Sequence, residues 1–311
     1  MALDNTNTLL NRFHSLPFLT DGGIETYLIH HDGLDLPHFA SFPLLRQDQG
    51  RDALLAYFAA FLNEAAALNM GFVLDTVTWR ASVGWGARLG WSADDIDAVN
   101  REAVAFAQSL RAGRRDVILN GVIGPLGDAN RPDEVLTPRQ SEAYHARQIT
   151  VLAEAGVDLV TAMTLTAPGE AIGIARAARQ VGVPLALSFT VETNGKLEGG
   201  QSLAEAIATV DEATQNYPLW YGINCAHPDH FAAELIGDVV HRLGAVRANA
   251  SRCSHDELVG AAMLDTGDPL ELSQDMARIR QMVPQLRVLG GCCGTDLRHV
   301  AAMGQRFMER V

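Results

Sequence analysis

Two adjacent cysteines flanked by glycines separate an apolar run from a helical pattern in the segment Leu289-Gly290-Gly291-Cys292-Cys293-Gly294-Thr295-Asp296. A strand that turns at glycines and continues into a helix places its last side chains at the mouth of an α/β fold, and glycine allows the positive φ angles of such a turn. Consecutive side chains of a regular strand point to opposite faces, so both thiols can converge only where the strand ends or is distorted. The segment therefore predicts a functional site at the carboxyl end of a strand.

Eight short apolar runs alternate with amphipathic stretches along the chain. They are nearly continuous in Val, Ile, Leu, Ala and Thr, as expected for strands buried on both faces of a parallel sheet. The runs are Phe18–Gly23, Phe72–Trp79, Val117–Gly124, Leu159–Thr166, Pro184–Val191, Tyr221–Ala226, Ala245–Ser251 and Arg287–Cys293. Eight β-α units favour an α/β protein with a single (β/α)8 TIM barrel, which usually takes about 250 residues plus insertions. A doubly wound open sheet is the main alternative, but no Gly-x-Gly-x-x-Gly turn follows an early strand.

The amphipathic stretches predict the barrel helices and the loops around its mouth. Helices are predicted at Asp48–Asn69, Ser92–Gly113, Thr137–Ala155, Pro168–Val181, Ser202–Asn216, Pro228–Leu243, Ser273–Val283 and Asp296–Arg310. Extra length follows the first three strands at His30–Gln47, Ala81–Trp91 and Asp128–Pro138, where barrels build active-site loops. No composition shift or linker marks a boundary, so we expect residues 1–311 to form one domain.

Composition and charge exclude several classes of function. Hydrophobic residues make up 48% of the chain and charged residues 20%, which is enough for a large core. The formal net charge of −13 argues against non-specific binding to nucleic acid or anionic membranes. We find no signal peptide in Met1–Phe18 and no apolar run that is long enough to cross a bilayer. We therefore expect a cytoplasmic protein with small-molecule partners and neither nucleic-acid nor membrane partners.

Three of the four cysteines are expected at one end of the barrel. Cys225 ends the sixth predicted strand, and Cys292 and Cys293 end the eighth. Three thiolates that converge at the mouth would bind zinc with one coordination position open, which is the arrangement of catalytic zinc. A thiol substrate in that position would be held as the nucleophilic thiolate at neutral pH. The cysteines are therefore predicted to be metal ligands and to carry the chemistry.

Other interpretations of the cysteines remain open at this point. The isolated Cys253 is expected to be a small buried hydrophobic residue. The adjacent pair Cys292 and Cys293 could instead be a strained redox pair. A closed structural zinc site would take Cys253 as its fourth ligand, and the protein would then be a non-catalytic zinc or redox-sensing protein.

The cysteine motifs resemble those of the homocysteine S-methyltransferases, which include betaine–homocysteine and S-methylmethionine–homocysteine methyltransferases. The resemblance covers nearly the whole chain. Its most specific pieces are Gly222-Ile223-Asn224-Cys225 and Gly290-Gly291-Cys292-Cys293-Gly294-Thr295; others are Leu19-Thr20-Asp21-Gly22-Gly23, Ser188-Phe189-Thr190 with Gly195 and Leu197, and Glu205-Ala206. By position, Cys225, Cys292 and Cys293 would be the zinc ligands.

The resemblance implies a zinc-dependent TIM barrel that moves a methyl group from a small donor to a thiol. The donor would be S-methylmethionine, S-adenosylmethionine or a betaine-like compound, and the main acceptor homocysteine, which gives methionine. A different small thiol or selenol is the alternative acceptor. Asp21 matches an acidic residue that helps to hold the amino group of homocysteine in the family, and a carboxylate at a strand end is well placed for this. Glu25 is a weaker candidate for substrate binding.

Two positions depart from the family pattern. The family usually has a glutamate, a second anchor for the amino group, near the position of Met163, and methionine cannot accept that hydrogen bond. Either a nearby acid substitutes, or the acceptor is not homocysteine. The position of Arg80 can be aromatic in the family and touch the methyl donor. Here Trp79 could supply the ring for a cationic donor, and Arg80 could pair with a substrate carboxylate.

Polar residues near other strand ends complete the set of candidates. Asn249 follows the seventh predicted strand, where the family commonly shows an asparagine, so it is expected to orient substrate or to make a structural hydrogen bond. His227, His255 and His299 lie on or near the mouth loops, where histidines are more often solvated or capping residues than ligands. Since the chain stops soon after its last predicted helix, we expect a monomer or a homodimer.

Overall fold

The chain forms a closed barrel of eight parallel strands that are paired in sequential order, which confirms the predicted TIM barrel. The computed structural model describes residues 2–127, 136–259 and 263–309, with side chains from Thr6 onward. Most of the predicted loop at Asp128–Pro138 lies outside the described residues. The strands are β1 (Phe18–Leu19), β2 (Gly71–Asp75), β3 (Val117–Ile123), β4 (Leu159–Leu165), β5 (Leu185–Phe189), β6 (Trp220–Ala226), β7 (Leu243–Ala248) and β8 (Val288–Gly291).

Helices surround the barrel, and several begin at residues whose side chains cap the first turn. They are α1 (Ala2–Ser15), α2 (Ile24–His30), α3 (Asp48–Ala67), α4 (Val83–Arg88), α5 (Ala93–Arg111), α6 (Pro138–Ala155), α7 (Pro168–Val181), α8 (Leu203–Thr214), α9 (Pro228–Phe231), α10 (His255–Val259), α11 (Pro269–Met282) and α12 (Leu297–Met308). Ser92 and Thr137 form capping boxes at the starts of α5 and α6, which satisfy backbone N–H groups that lack partners within the helix. None of the described helices is both long and apolar enough to span a membrane.

Two predicted helices have different bounds in the structure. The helix predicted at Pro228–Leu243 is wrong, because α9 ends at Phe231 and short 3-10 turns follow. Gly237, the first residue of the second turn, has a φ of 75°, a left-handed conformation that a continuous α-helix does not contain. Helix α11 begins before the predicted Ser273 because the Asp268 carboxylate accepts hydrogen bonds from two backbone N–H groups of the first turn.

Helix α1 has no counterpart among the predicted helices and closes the bottom of the barrel. Leu9 and Phe13 are buried against the first residues of several strands. The Phe13 ring lies 4.7 Å from the Phe18 ring and 4.5 Å from the Trp220 ring, measured between centroids, which are favourable distances for aromatic pairs. The amino ends of the strands are thereby covered, so the open end of the barrel is the mouth at their carboxyl ends.

Two strands are irregular near the mouth. The pairing of β4 with β5 shifts register between Ala162 and Leu165, and the pairing of β6 with β7 shifts between Asn224 and Ala226. Thr164 and Cys225 both have a φ of 59°, which is uncommon for residues with a side chain. Such bulges redirect side chains at barrel rims, and here one of them redirects a cysteine.

Candidate metal and substrate site at the barrel mouth

The three predicted cysteine ligands meet at the mouth. The sulfur atoms of Cys225, Cys292 and Cys293 all lie within 4.8 Å of one another. The Sγ atoms of Cys225 and Cys293 are 3.6 Å apart, well beyond the roughly 2 Å of a disulfide bond, and all three thiols are free. Three soft sulfur donors on one side of an open mouth fit zinc with a further position for a substrate atom.

Backbone geometry brings these thiols together. Cys292 and Cys293 follow the last residue of β8, so they are released from the alternation of a strand. The Cys292 N–H donates to the carbonyl of Ala248 (2.8 Å), which ties the cysteine loop to β7. On the other side, the Asn224 side-chain oxygen accepts the Thr164 N–H (2.9 Å) and joins the two irregular strands. The asparagine before Cys225 therefore supports the bulge that turns this cysteine inward.

The carbonyl oxygen of Cys225 receives three side-chain donors. His255 Nε2 lies at 2.6 Å, Asn249 Nδ2 at 3.1 Å and Thr190 Oγ1 at 3.4 Å. Because a carbonyl only accepts, the His255 tautomer with a proton on Nε2 is required. These contacts stabilise the left-handed backbone conformation of Cys225. Asn249 thus makes a structural hydrogen bond, and its predicted contact with substrate remains a prediction.

Replacing Asn249 with alanine should weaken zinc binding by about 10- to 100-fold, the usual effect of losing a group that orients a metal ligand. The variant would lose the donor to the Cys225 carbonyl and loosen the strained ligand. Zinc affinity can be measured by competition with a chromogenic chelator. Asn11→Ala on the exposed face of α1 is the matched control and should bind zinc normally. Unchanged affinity in Asn249→Ala would show that the clamp on Cys225 is unnecessary.

The thiol cluster favours one thiolate even without metal. Hydrogen bonds from Cys225 and Cys293, together with the nearby charge of Arg247, hold the pKa of Cys292 well below its ordinary value, although burial opposes this. A thiolate is the form that binds zinc and the form that attacks electrophiles. The Cys292 thiolate therefore gives the mouth a negatively charged sulfur that favours the binding of a cation.

Arg247 of β7 lies at the centre of the mouth and is a residue that the sequence patterns did not single out. Its guanidinium forms ion pairs with Asp21 and Asp75. Its Nε donates to the carbonyl of Gly291 (3.1 Å), directly before the cysteine pair, and its Nη1 lies 3.6 Å from the Met163 sulfur. An arginine inside an otherwise apolar strand is the signal that could have identified it, because a buried charge requires partners.

A chain of hydrogen bonds fixes this arginine from below. Asp75 also accepts from Asn120 Nδ2 (2.7 Å), and Asn120 in turn accepts from Thr161 Oγ1 (2.8 Å). The network therefore crosses the barrel interior from β7 through β2 and β3 to β4. Arg247 is held as a rigid positive charge beneath the thiol cluster.

Asp21 lies in the loop after β1 and pairs with this arginine, and Glu25 lies in the first turn of α2. Burial raises the pKa of Asp21 to about 7; Arg247 opposes the shift, and Asp75 and Glu25 add to it. Burial likewise raises the pKa of Glu25 to about 7 against a hydrogen bond from Ser41 Oγ (3.1 Å). Both predicted substrate-binding acids therefore lie in the site. Burial disfavours the charged form of each carboxylate.

The two predicted donor-site residues stack on each other. The Arg80 guanidinium carbon lies 4.0 Å from the centroid of the Trp79 ring and 3.6 Å from that of the Trp85 ring, and Nη1 donates to the Gly127 carbonyl (3.1 Å). Trp79 is half-buried, and its Nε1 donates to Thr164 Oγ1 (2.9 Å). One face of Trp79 therefore carries the protein's own cation, so a donor can use only the opposite face.

Arginines already pair with the carboxylates of a second group of side chains that could bind a metal. One ligand atom from each of His227, Asp229 and Asp275 lies within 4.8 Å of the others. Arg252 donates to both carboxylates, and Arg278 pairs with Asp275. Burial lowers the pKa of His227 to about 4, so this imidazole is neutral at pH 7. The group is an ion-pair cluster that joins α9 to α11.

Two further candidates lie away from the thiols. Cys253 is exposed, so its prediction as a buried residue is wrong. It lies in the loop after β7, where its N–H donates to Ser251 Oγ (3.1 Å), and it is not part of the described thiol cluster. His299 bonds to Asp296 and to the Thr266 carbonyl (2.7 Å) at the start of α12, which is a capping role.

Comparisons with known proteins agree with this geometry. A family model described as homocysteine S-methyltransferase matches residues 18–307. Among solved structures, the oxidised form of the homocysteine methyltransferase MmuM from Escherichia coli is similar, with 19% identity over 94% of this chain and 96% of that one and a TM-score of 0.74. The metallated form of MmuM has the same identity and coverage and a TM-score of 0.72. No curated protein matches the sequence significantly. At 19% identity the structural likeness supports only the fold. The family match indicates that the chain is a methyltransferase.

Proposed function

Because this chain belongs to the homocysteine S-methyltransferase family and is therefore a methyltransferase, we propose that it transfers a methyl group to a small thiol held by zinc at Cys225, Cys292 and Cys293. Homocysteine is the leading acceptor, and methionine would be the product. The observation that carries the proposal is the convergence of three free thiols at the mouth. Bound zinc would act as a Lewis acid that keeps the acceptor sulfur deprotonated at neutral pH.

The chain's own residues orient the reactants. In the proposed reaction the acceptor thiol releases its proton to solvent, and its sulfur then attacks the methyl carbon. The new sulfur–carbon bond forms as the donor's bond to that methyl breaks, and the bonding pair leaves with the donor. Thr190, Asn249 and His255 hold the peptide of Cys225, and Arg247 holds Asp21 near the cysteine loop. Positioning of the two reactants supplies much of the acceleration in such a displacement.

The aromatic ring of Trp79 near the mouth favours a cationic methyl donor. S-methylmethionine, S-adenosylmethionine and betaine all carry a positive sulfonium or ammonium centre, and the open face of Trp79 offers a ring for cation–π contact. The proposed function is tested by incubating the zinc-loaded protein with homocysteine and each donor in turn, and measuring methionine. Activity should disappear with a chelator and return with zinc. Full activity in metal-free protein would contradict the proposal.

Met163 favours a second candidate acceptor. Its thioether, near the position where the family usually has a glutamate, faces the Arg247 guanidinium and offers only a weak hydrogen-bond acceptor. A different small thiol or selenol could then replace homocysteine. Competition between homocysteine and other thiols for the zinc-loaded protein would identify the preferred acceptor.

A further inference from the structure

The indole of Trp79 reaches from the segment after β2 to the irregular end of β4. Its Nε1 donates to Thr164 Oγ1 (2.9 Å), although β3 lies between β2 and β4 in the barrel. A Cβ atom on Gly124, directly after β3, would come within 2.6 Å of the indole nitrogen and of the Trp79 carbonyl oxygen. A residue with a side chain at position 124 would therefore push the indole away from Thr164.

Two buried threonines fix the backbone just before Trp79. Thr78 Oγ1 donates to the Val122 carbonyl (2.6 Å), and the Val122 N–H donates to Thr76 Oγ1 (3.0 Å). Because the Thr78 hydroxyl hydrogen is already used, Thr76 is the donor in the 2.6 Å contact between the two hydroxyls. Gln148 Nε2 also donates to the Thr78 carbonyl (2.9 Å). The segment that carries the indole is thus tied to β3, and the indole N–H points at a defined place on β4.

Thr164 is a residue that needs such partners. It is buried and branched at Cβ, and its φ of 59° is an outlier for a residue of this kind. A backbone conformation of this type persists only where the surrounding structure holds it. The Thr164 N–H donates to Asn224 Oδ1 (2.9 Å), and its hydroxyl oxygen accepts the indole N–H of Trp79. Trp79 and Asn224 therefore hold the irregular end of β4 from two sides.

The end of β4 is connected to Cys225 by two routes. Asn224, which accepts the Thr164 N–H, directly precedes Cys225 in β6. The Leu165 carbonyl accepts the Thr190 N–H (3.0 Å), and Thr190 Oγ1 in turn donates to the Cys225 carbonyl (3.4 Å). Both routes lead to a cysteine whose φ is 59°. A shift of Thr164 would therefore be transmitted to the direction of the Cys225 thiol.

We propose that Trp79 is a positioning residue for Cys225, because its indole N–H holds the thiol in the direction that zinc requires by way of Thr164 and Asn224. The inference rests on the proposed function, since it takes zinc to bind at the three cysteines. It gives a second role to the ring that the methyl donor is expected to contact. Loss of a group that orients a metal ligand usually weakens metal binding by about 10- to 100-fold, and for an indirect contact we expect about tenfold.

The test measures zinc affinity by competition with a chromogenic chelator. Trp79→Phe keeps an aromatic ring and removes the N–H, whereas Thr164→Val keeps a branched side chain and removes the acceptor. Each variant should bind zinc about tenfold more weakly than the wild type. The double variant should bind no more weakly than either single one, because both changes break the same hydrogen bond. Trp85→Phe is the matched control and should bind zinc normally, since Trp85 Nε1 donates to the Pro125 carbonyl (3.1 Å) instead of to β4.

The other outcomes would overturn the inference. Unchanged zinc affinity in Trp79→Phe, even with lower stability of the metal-free protein in urea, would leave the indole N–H a purely structural role. Losses that add in the double variant would show that Trp79 does not act through Thr164. An equal loss in Trp85→Phe would show that any tryptophan change near the mouth disturbs the metal site. A wild-type protein that binds no zinc would refute the proposed function itself, and this inference with it.

Discussion

Replacing Cys292 with serine is expected to abolish both zinc binding and methyl transfer. Cys292 is one of three sulfurs in the described thiol cluster, and its hydroxyl substitute is a poor, protonated ligand for a soft site. Loss of a direct ligand should weaken zinc binding by far more than the roughly 100-fold that loss of an orienting group causes. Zinc content by atomic spectroscopy and methionine formation from homocysteine check the two effects in the same samples.

The chain offers a matched control for this substitution. Cys253→Ser changes an exposed cysteine outside the described cluster and should retain full zinc and full activity. Cys225→Ala should also lose zinc and activity, because it removes the thiol that β6 contributes to the cluster. Undiminished methyl transfer by a zinc-free Cys292→Ser protein would contradict the proposed role of the cluster.

Replacing Arg247 with methionine should destabilise the protein by about 3–5 kcal/mol, the range for breaking a buried ion pair and leaving its partner uncompensated. Asp21 and Asp75 are both buried and would lose their common counter-ion. The loss is measured by urea denaturation of the metal-free variant and of metal-free wild type.

Two comparisons separate charge from packing in the Arg247 variant. Arg147→Met removes an arginine that pairs with Asp94 and Asp97 on the surface, and such exposed pairs contribute only about 0–1 kcal/mol. Adding Asp21→Asn and Asp75→Asn to Arg247→Met should restore much of the lost stability, because the buried charges are then gone. A destabilisation no larger than that of Arg147→Met would show that the central ion pairs contribute little.

Local patterns were sufficient to predict the barrel and the convergence of Cys225, Cys292 and Cys293 at its mouth. The strands are continuous apolar runs, and several helices begin at serine or threonine caps, so each element is visible within its own segment. The cysteines were identifiable because thiols at the ends of β6 and β8 must meet once the barrel closes. Helix α1 was missed because its role depends on Leu9 and Phe13 packing against strands far along the chain.

The rest of the site depends on contacts between distant residues. Arg247 lies 226 positions from Asp21 and 172 from Asp75, and nothing near Arg247 in the sequence indicates these partners. The bulge that turns Cys225 inward depends on Thr164 of another strand. Cys253 was wrongly predicted to be buried because residue type alone carries no information on loop exposure. Only the folded barrel brings such groups together.

X-ray absorption at the zinc edge of reduced, zinc-loaded protein tests the open thiolate site most directly. Three sulfur neighbours are expected from Cys225, Cys292 and Cys293, and a fourth should appear when homocysteine is added, because its thiolate would take the open position. Four sulfurs from the protein alone, or no bound zinc at all, would contradict a thiol-activating metal centre.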